Sequence, residues 1–412
     1  MLKRHIALIK TIMFSYSFGF DRKNFNMRFG YTTGSCATAA AKAAAIGLFT
    51  GNIPDEVEID TPSGIKLKLK IYQKQLSVNA SQCAVQKDAG DDPDVTNGCF
   101  IHARVERNFA QTIEIDGGEG VGRVTKPGLQ VPVGHAAINP VPRRMIEGAV
   151  KAVIGNGCGL KIVISVPNGK LLGEKTFNPK LGIVGGISII GTTGIVRPMS
   201  EDAFKTSLLC GLDIAKGIGY ETVALVPGSL GERSILHLGN IPKDQVIQIS
   251  NFVGFMLTAA GQRNFKRVIL AGHPGKLVKL LRGDFQTHSS VSKPANDILL
   301  DIIEQQVQNR GRRSEARCQK TDTRLPDAML NHLKEVSTVE GIVEVLKEYK
   351  YLSIMNEAAE KVETKVLEFL KGEQSFSPIE SGVILFDMKG SVVGISDSAQ
   401  TWLNAIKTRL LS

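Results

Sequence analysis

The spacing of apolar segments changes about halfway along the chain, and this change limits the folds that the chain can adopt. In the second half, short buried strands at 222–226, 246–250 and 267–272 alternate with helices. This alternation is typical of an α/β domain with a mostly parallel sheet. In the first half, strand pairs predominate and helices are few, which predicts an α+β domain. We therefore predict an α+β domain over 27–198 and an α/β domain over 199–309.

The ends of the chain predict additional segments. A length of 412 residues suits two domains with a C-terminal appendage. The basic run NRGRRSEARCQK at 309–320 is typical of a solvated segment, and we predict a linker over 310–340. The remaining residues, 341–412, predict a helix at about 354–371 and then a strand pair. Residues 1–26 combine a basic start with an apolar run that Lys10 interrupts, which we interpret as a poorly ordered extension or a wrongly chosen start codon.

Composition narrows the class of partner. The formal net charge of +10 favours an anionic ligand. Aromatic residues make up only 6% of the chain and do not alternate with basic residues, which argues against nucleic acid. No segment has the roughly 18 apolar residues that a membrane span needs. The six cysteines are scattered without a CxxC pair, which predicts reduced thiols and a cytoplasmic protein.

The triplet Thr-Thr-Gly occurs at 32–34 and again at 192–194. The first copy precedes the alanine-rich stretch SCATAAAKAAAIGLF, which predicts a helix with Ser35 as N-cap and Gly51 at its end. Free backbone N–H groups at a helix start attract anions, and the threonine hydroxyls add hydrogen-bond donors. Tight turns with a helix cap are the alternative explanation of both triplets, so the two interpretations stay open.

The glycine-rich segments do not complete a nucleotide-binding motif. Residues 186–193, GISIIGTT, nearly match the phosphate-loop spacing, but Thr192 stands where that motif requires lysine. Neither GVGRVT at 120–125 nor GNGCG at 155–159 has the full dinucleotide fingerprint. A small-molecule phosphotransferase that uses these loops is therefore an alternative hypothesis only.

Two basic segments are candidates for binding an anion. The stretch GGEGVGRVTKPG lets the backbone approach a flat ligand, while Arg123 and Lys126 can meet its carboxylates. The stretch NPVPRRM places Arg143 and Arg144 at a helix start, where cations oppose the helix dipole. These two arginines either serve an external anion or form surface salt bridges.

An acidic segment, DAGDDPDVTNG at 88–98, contrasts with the basic chain. Its aspartates lack the ligand periodicity and closing glutamate of a calcium loop. It is either a solvated turn with Asx caps or a set of carboxylates that faces a cationic cofactor or accepts a proton. His273 follows a predicted strand at the ligand-binding end of the α/β sheet, where either a structural or a functional role is open.

Eight segments, in order from about residue 28 to about residue 395, together resemble the cobalt-precorrin-5B C1-methyltransferase family of anaerobic cobalamin biosynthesis. They are RFGYTTGSCATAAAKAA, KDAGDDPDVTNG, GGEGVGRVTKPGL, AAINPVPRRMI, KTFNPKLGIVGGISIIGTTGIVRPMSE, VPGSLGER, AGHPGKLVKL and VILFDMKG.

The resemblance implies methyl transfer from S-adenosylmethionine to C1 of cobalt-precorrin-5B, which gives cobalt-precorrin-6A. Cobalt then arrives within the substrate, and no protein metal site is expected. The family fold is an α+β domain related to a ribosomal-protein fold with a second α/β domain, and it is not the usual precorrin-methyltransferase fold. Asn97 and His135 depart from the family pattern of His and Glu. A homo-oligomer and handover to other cobalamin-pathway enzymes are compatible with the family, and a non-catalytic tetrapyrrole carrier is an alternative.

The two charges of the implied reaction suggest roles for the candidate residues. The corrinoid carries many carboxylate arms, so cations would bind it, whereas carboxylates would hold the cationic methyl donor or a departing proton. The predicted catalytic residues are Asp88, Asp91, Asp92 and Asp94. The predicted substrate-binding residues are Thr32, Thr33, Gly34, Ser35, Arg123, Lys126, Arg143 and Arg144. The predicted donor-binding residues are Gly186, Ser188, Gly191, Thr192, Thr193, Gly228 and His273.

Overall fold

A computed structural model describes most of the chain. The described residues are 27–108, 110–155, 158–316, 327–372 and 379–408. The predicted extension at 1–26 therefore lies outside them. Two compact units, Met1–Ala203 and Phe204–Ser412, divide the chain. Both combine helices with sheets, so the predicted mixture of α and β structure is confirmed. None of the described helices has the length and apolar character that crossing a membrane requires.

The N-terminal unit contains short strands and few helices. Its strands are β1 (Gly30–Tyr31), β2 (Glu56–Asp60), β3 (Lys66–Lys70), β4 (Tyr72–Leu76), β5 (Ala80–Gln86), β6 (Phe100–Asn108), β7 (Ile113–Gly117), β8 (Arg123–Val124), β9 (Gly159–Ser165), β10 (Ile183–Val184) and β11 (Ile195–Val196). Its helices are α1 (Thr33–Thr50), α2 (Pro140–Ile154) and α3 (Gly169–Gly173).

Helix α1 is the centre of this unit. Alanines along most of its length are fully buried because α1 packs against α2 and against strands β5 and β6. Its N-cap is Thr32, so the prediction of Ser35 was wrong: Thr32 has extended backbone and its Oγ1 accepts the Ser35 N–H at 3.2 Å. Gly51 ends the helix in the left-handed conformation, as predicted, and donates to the Gly47 carbonyl at 2.9 Å.

The main sheet of the N-terminal unit has the strand order β4-β5-β6-β9-β7. All neighbours are antiparallel except β7 and β9, which run parallel. The C-terminal end of β5 therefore lies beside the N-terminal end of β6 and the C-terminal ends of β9 and β7. We call this edge the loop end of the sheet.

The C-terminal unit contains a second five-stranded sheet. Its helices are α4 (Glu201–Ile218), α5 (Ser229–His237), α6 (Val253–Gln262), α7 (Pro274–Leu277), α8 (Asn296–Ala316), α9 (Asp327–Glu335), α10 (Val339–Glu348), α11 (Ile354–Gly372) and α12 (Asp397–Thr408), with 3₁₀ turns at Lys243–Gln245 and Val278–Arg282. Its strands are β12 (Thr222–Val226), β13 (Val246–Gln248), β14 (Arg267–Gly272), β15 (Glu380–Phe386) and β16 (Val392–Ile395).

This sheet has the order β13-β12-β14-β15-β16, and only the last pair is antiparallel. Apolar residues of the sheet form one buried cluster with α5 and α12 and another with α4, α6, α8, α10 and α11. Because β13 lies on one side of β12 and β14 lies on the other, the strand order reverses between β12 and β14. In open α/β sheets, the carboxyl ends of strands at such a switch point bind ligands.

Two predictions about the C-terminal half need correction. Helix α8 continues through 310–316 and α9 covers 327–335, so these residues are not the predicted linker. Residues 310–316 contain three Arg with one Glu and one Ala, which are good helix formers, and the polarity of this run alone suggested a linker. The predicted helix and strand pair are present as α11, β15 and β16. Strand β15 pairs in parallel with β14, so the strand pair completes the sheet and is not an appendage.

Candidate active site

The predicted motifs of the N-terminal unit meet at the loop end of its sheet. The acidic segment 88–98 connects β5 to β6 there, and the glycine-rich segment 117–122 leaves β7 at the same end. Strands β5 and β7 are three strand spacings apart, which is about 14 Å at about 4.8 Å per spacing. The acidic segment and the glycine-rich segment therefore lie at the same end of one sheet.

A single segment, 186–199, connects these motifs. The Gly186 end lies against the Gly120 backbone, and the Ile187 N–H donates to the Gly120 carbonyl at 3.0 Å. Further along, Val196 pairs with Gly30 in a two-stranded sheet. The segment ends where the Met199 N–H donates to Asp92 Oδ1 at 3.0 Å. One stretch of chain therefore runs from the glycine-rich segment to the acidic one.

Arg28 organises the exposed side of the acidic segment. Its guanidinium forms a two-pronged ion pair with Asp88, in which Nη2 lies 2.8 Å from Oδ1. Its backbone N–H donates to Asp91 Oδ2 at 2.6 Å. The hydrogen bond from Arg28 holds the pKa of Asp88 below its usual value. Asp88 therefore forms a structural ion pair, whereas Asp91 is exposed and, within the described ranges, hydrogen-bonds to the Arg28 backbone.

Asp92 differs from its neighbours because it is half-buried and is not paired with a cation in the described part of the chain. Burial raises the pKa of the Asp92 carboxyl, and the Met199 N–H partly offsets that effect. A carboxylate with a raised pKa accepts a proton more readily than an exposed one. Of the four predicted catalytic aspartates, Asp92 has the environment that best suits proton transfer.

Asp94 anchors the acidic segment from the inside. Its Oδ2 lies 2.7 Å from Nζ of Lys87, whose side chain is only 1% exposed. Its Oδ1 accepts hydrogen bonds from the backbone and hydroxyl of Thr96 at 2.8 and 2.7 Å. Burial alone would raise the pKa of Asp94, but the Lys87 charge and these hydrogen bonds lower it below its usual value. Asp94 thus fixes the shape of the segment.

The predicted arginines gather around the end of β7. Arg123 donates to Asp116 Oδ2 at 2.9 Å and to the Gly117 carbonyl at 3.2 Å. Arg143 donates to the Ile115 carbonyl at 2.7 Å. Burial tends to raise the pKa of Asp116, but the Arg123 hydrogen bond contributes to a net lowering. The structure therefore brings Arg123 and Arg143 together, with one carboxylate between their charges.

The two other predicted cations, Lys126 and Arg144, are close in sequence to Arg123 and Arg143. Lys126 is half-buried and its Nζ donates to the Lys180 carbonyl at 3.3 Å. Arg144 is exposed on the first turns of α2 and forms no hydrogen bond or ion pair with the residues that the structure describes. Arg144 is consequently the predicted cation that is most available to an external anion.

The first Thr-Thr-Gly triplet forms a buried joint with the segment 186–199. Thr33 Oγ1 accepts the Ile190 N–H at 2.9 Å, and the Gly34 N–H donates to the Ile190 carbonyl at 3.0 Å. Ser35 Oγ donates to the Gly194 carbonyl at 2.7 Å, and Thr32 is less than 10% exposed. These donors hold the chain together, which supports the structural interpretation. Ligand contact by these four residues stays a prediction.

Glycines in the same region allow close backbone packing. A Cβ on Gly186 would lie 2.1 Å from the Gly120 carbonyl oxygen, and one on Gly173 would lie 2.3 Å from the Gly186 carbonyl oxygen. The Gly186 carbonyl also accepts the side-chain amide of Asn178 at 2.9 Å, and Ser188 Oγ is bonded to the same side chain at 3.1 Å. Gly186 and Ser188 therefore have packing roles that explain the local glycine content without a ligand.

The second triplet is partly accessible. Gly191 has φ of 137°, and a Cβ there would lie 2.2 Å from Thr32 Oγ1, which restricts this position to glycine. Thr192 and Thr193 are exposed, and among the described residues the hydrogen bonds of Thr193 Oγ1 are to the Ile195 backbone. Thr192 and Thr193 are therefore the predicted donor-binding residues of this unit that a ligand can reach.

Gly228 and His273 lie at the switch point of the C-terminal sheet. Gly228 follows β12 and begins α5, while His273 follows β14 and caps α7. The Gly275 N–H donates to His273 Nδ1 at 3.0 Å, so a neutral ring carries its proton on Nε2 and donates it to Glu340 Oε2 at 2.9 Å. The structure therefore brings these two predicted residues to one sheet edge and gives His273 a bridging role.

Several residues that shape the loop end were not predicted. Lys87 and Arg28 stand within quoted motifs, KDAGDD and RFGYTTGSC, so their charges beside the acidic run were an available signal. His102 on β6 is 9% exposed, and both ring nitrogens lack a partner among the described residues. Burial lowers the pKa of His102. No sequence motif marks His102, because its burial depends on the neighbouring strands.

Asn97, one of the departures from the family pattern, has a structural contact. Its Oδ1 accepts the Ala89 N–H at 2.9 Å, which closes the acidic segment on itself.

Across the described residues, no three His, Cys, Asp or Glu side chains are arranged to hold a metal ion.

The N-terminal sheet has ionised side chains at the end where its loops lie. The C-terminal sheet has loops at the carboxyl ends of its parallel strands. Enzymes that bind small molecules commonly have such features. The fold and these sites place the chain in that class.

Comparison with known proteins identifies the family. Residues 20–198 match the family model described as CbiD, and residues 322–397 match the model for the CbiD C-terminal domain. The chain is 44% identical to the cobalt-precorrin-5B C(1)-methyltransferase of Alkaliphilus metalliredigens, over 93% of this chain and 96% of that protein. It is 50% identical to the protein of the same name from Thermoanaerobacter sp., over 67% of this chain and 75% of that protein. The chain therefore belongs to the CbiD family, and the predicted membership is confirmed.

A solved structure also matches the chain. It is the crystal structure of a cobalamin biosynthesis protein (cbiD) from Archaeoglobus fulgidus, with 28% identity over 64% of this chain and 83% of that chain, at a TM-score of 0.35.

Proposed function

We propose that this chain transfers a methyl group from S-adenosylmethionine to C1 of cobalt-precorrin-5B and so produces cobalt-precorrin-6A. The observation that carries this proposal is the 44% identity, over 93% of the chain, to a relative that is named for C1 methylation of cobalt-precorrin-5B. The enzyme class, the corrinoid substrate and the methyl donor are those that the sequence motifs predicted.

The chemistry of methyl transfer suits the loop end of the N-terminal sheet. Displacement at a sulfonium methyl group depends on alignment, and holding the reacting atoms about 3–3.5 Å apart supplies roughly 7–11 kcal/mol of the barrier reduction. A nucleophilic triad is not needed for such a step. The protein has to bind an anionic macrocycle, hold a cationic donor and accept the proton that the methylated ring releases.

The side chains at the loop end offer groups for each of these tasks. We assign the corrinoid carboxylates to the exposed Arg144, with Arg123 and Arg143 as a fixed positive surface beside it. We assign the released proton to Asp92, whose carboxylate is half-buried. The exposed carboxylate of Asp91 fits the positive end of the donor.

We also infer that the N-terminal unit is an α+β domain and the C-terminal unit an α/β domain, in a fold that differs from that of the other precorrin methyltransferases. The strand orders of the two sheets support this division. A cytoplasmic location, a homo-oligomer and handover to other pathway enzymes remain part of this proposal.

Incubation of the purified chain with cobalt-precorrin-5B and S-adenosylmethionine tests the function. We expect a corrinoid product that is heavier by one methyl group, together with S-adenosylhomocysteine, and no product when the donor is omitted. An unmodified corrinoid, bound without any affinity for S-adenosylhomocysteine, would establish the carrier alternative. Binding of a nucleoside triphosphate instead would favour the phosphotransferase.

A further inference from the structure

Lys276 is a cation in an unusual environment at the switch point of the C-terminal sheet. It lies on α7, directly after β14, and is half-buried. Its Nζ donates to Asn251 Oδ1 at 2.8 Å, and it forms no ion pair with any residue that the structure describes. Burial lowers the pKa of Lys276, and the positive charge of Lys279 lowers it further. A cation removed from water is unfavourable unless an opposite charge compensates it.

The groups around Lys276 are polar and largely neutral. Lys279 is 7% exposed, and its Nζ donates to the backbone carbonyls of Thr287 at 3.3 Å and Ser292 at 3.2 Å. The Thr287 N–H donates to the Asn251 carbonyl at 3.0 Å, which links the two lysine environments. Thr287 is 2% exposed, and its Oγ1 has no hydrogen-bond partner among the described residues.

The nearby carboxylates are already engaged with other groups. Asp284 accepts the Ser292 hydroxyl at 2.7 Å and acts electrostatically on Lys279 rather than on Lys276. Glu340 is bonded to His273 through one oxygen and to the Met388 N–H through the other, at 2.9 and 3.1 Å. Neither Asp284 nor Glu340 therefore forms an ion pair with Lys276 in the part of the chain that the structure describes.

The position of this cluster in the sheet is suited to a ligand. Asn251 follows β13 and Lys276 follows β14, so the two side chains flank the carboxyl end of β12. Gly228 stands at that end and begins α5 without a side-chain cap. The cluster thus lies at the topological switch point, which is where α/β sheets bind ligands.

We propose that Lys276, with Asn251 and Thr287, binds a carboxylate group of a reaction ligand at the switch point. The ammonium group supplies the opposite charge, and the Thr287 hydroxyl is available as an additional donor. The identity of the ligand rests on the proposed function, whose reactants carry carboxylates in two places. These are the amino-acid part of the methyl donor and the acidic arms of the corrinoid.

Isothermal titration of the full chain distinguishes these sources. The ligands are S-adenosylhomocysteine, 5′-methylthioadenosine, which lacks the amino-acid carboxylate, and cobyrinic acid, a corrinoid with free carboxylic arms. We compare wild type with Lys276→Met, with Lys276→Arg and with the control Lys243→Met, which alters an exposed lysine of the same unit. The site predicts at least a tenfold loss of affinity in Lys276→Met for one carboxylate ligand, unchanged affinity for 5′-methylthioadenosine, and partial retention in Lys276→Arg.

A selective loss for S-adenosylhomocysteine supports a donor site, and a selective loss for cobyrinic acid supports a site for a corrinoid arm. Asn251→Asp is a second variant, because an internal carboxylate would neutralise Lys276 without removing it and should weaken the same ligand. If Lys276→Met and Asn251→Asp both bind S-adenosylhomocysteine and cobyrinic acid as tightly as wild type does, the inference is overturned. This holds even where the wild-type chain still methylates its substrate. If wild type binds neither S-adenosylhomocysteine nor cobyrinic acid and transfers no methyl group, both this inference and the proposed function are wrong.

Discussion

At the scale of single residues, Lys87 determines how the acidic segment is held. Its ammonium group is buried and lies 2.7 Å from Asp94, which is itself only 26% exposed on its side chain. The other aspartates of the segment lie nearer the surface and have contacts of their own, with Arg28 for Asp88 and Asp91 and with the Met199 N–H for Asp92. The sequence showed the run of acids but not which acid is structural, because that distinction depends on burial.

Replacement of Lys87 by Met should destabilise the N-terminal unit by about 3–5 kcal/mol, because Asp94 would remain inside without its cation. Hydrogen exchange of peptides from 27–108 measures this effect directly. The single tryptophan, Trp402, lies in the C-terminal unit, so its fluorescence does not report on this region. Lys66→Met, which removes an exposed ion pair, is the matched control and should change stability by less than about 1 kcal/mol.

The Lys87–Asp94 pair also predicts a pH dependence. The folded-state pKa of Asp94 is lowered, so its contribution to stability is present above the unfolded-state pKa and is lost as pH falls through the folded-state pKa. The stability difference between wild type and Lys87→Met should therefore shrink in strong acid. A difference that stays constant down to pH 2 would contradict the role of the ion pair.

Asp92→Asn should reduce kcat by about 10²–10⁴ if Asp92 accepts the released proton. The amide oxygen can still accept the Met199 N–H, so the fold of the segment is preserved. Because burial raises the pKa of Asp92, the wild-type rate should rise with pH through that pKa, and the variant should lose this dependence. Asp60→Asn, at an exposed carboxylate far along the chain, is the control, and equal rates in both variants would exclude the catalytic role.

At the scale of elements, local patterns predicted the regular structure well. The bounds of β12 and β14 agree with the prediction, because a continuous apolar run marks a buried parallel strand. Strand β4 was missed because its sequence, YQKQL, is polar and all of its residues are exposed. The N-cap of α1 was misplaced by three residues, since Thr32 and Ser35 are equally good caps by residue type.

The glycine-rich segments show where local patterns are insufficient. Sequence alone suggested a ligand-binding loop at Gly186, but the close neighbour there is the backbone of Gly120. These glycines are more than 60 residues apart in sequence, so nothing local to either position indicates that they meet. A glycine that contacts a ligand and a glycine that allows close backbone packing therefore look the same in the sequence. Only the tertiary contacts distinguish the two roles.

Gly186→Ala should destabilise the N-terminal unit by about 2–3 kcal/mol, because its Cβ would overlap a backbone carbonyl oxygen that cannot move freely. Gly148→Ala on α2 is the matched control, because a Cβ there meets nothing within 4 Å. The control should stabilise the helix by about 0.5–1 kcal/mol. Hydrogen exchange of the N-terminal unit measures both effects, and equal stability of the two variants would contradict the packing role of Gly186.

At the scale of the whole molecule, the sequence allows a prediction of where hairpin-rich structure changes to alternating structure, because such a change is a matter of periodicity. It could not predict the strand orders. The association of β15 with β14 joins residues more than 100 positions apart. The common position of 88–98 and 117–122 likewise follows from the strand order, and the meeting of 32–35 with 186–199 follows from the pairing of β1 with β11. The list of candidate motifs was therefore available from sequence, whereas their shared position at one sheet end was not.

The most direct test of the account is the position of the transferred methyl group. The purified chain is incubated with cobalt-precorrin-5B and S-adenosylmethionine that carries ¹³C in its methyl group, and the product is examined by carbon NMR. We expect one labelled methyl resonance, attached to the quaternary ring carbon C1. Label at another ring carbon, on oxygen or nitrogen, or absent from the corrinoid altogether would contradict it.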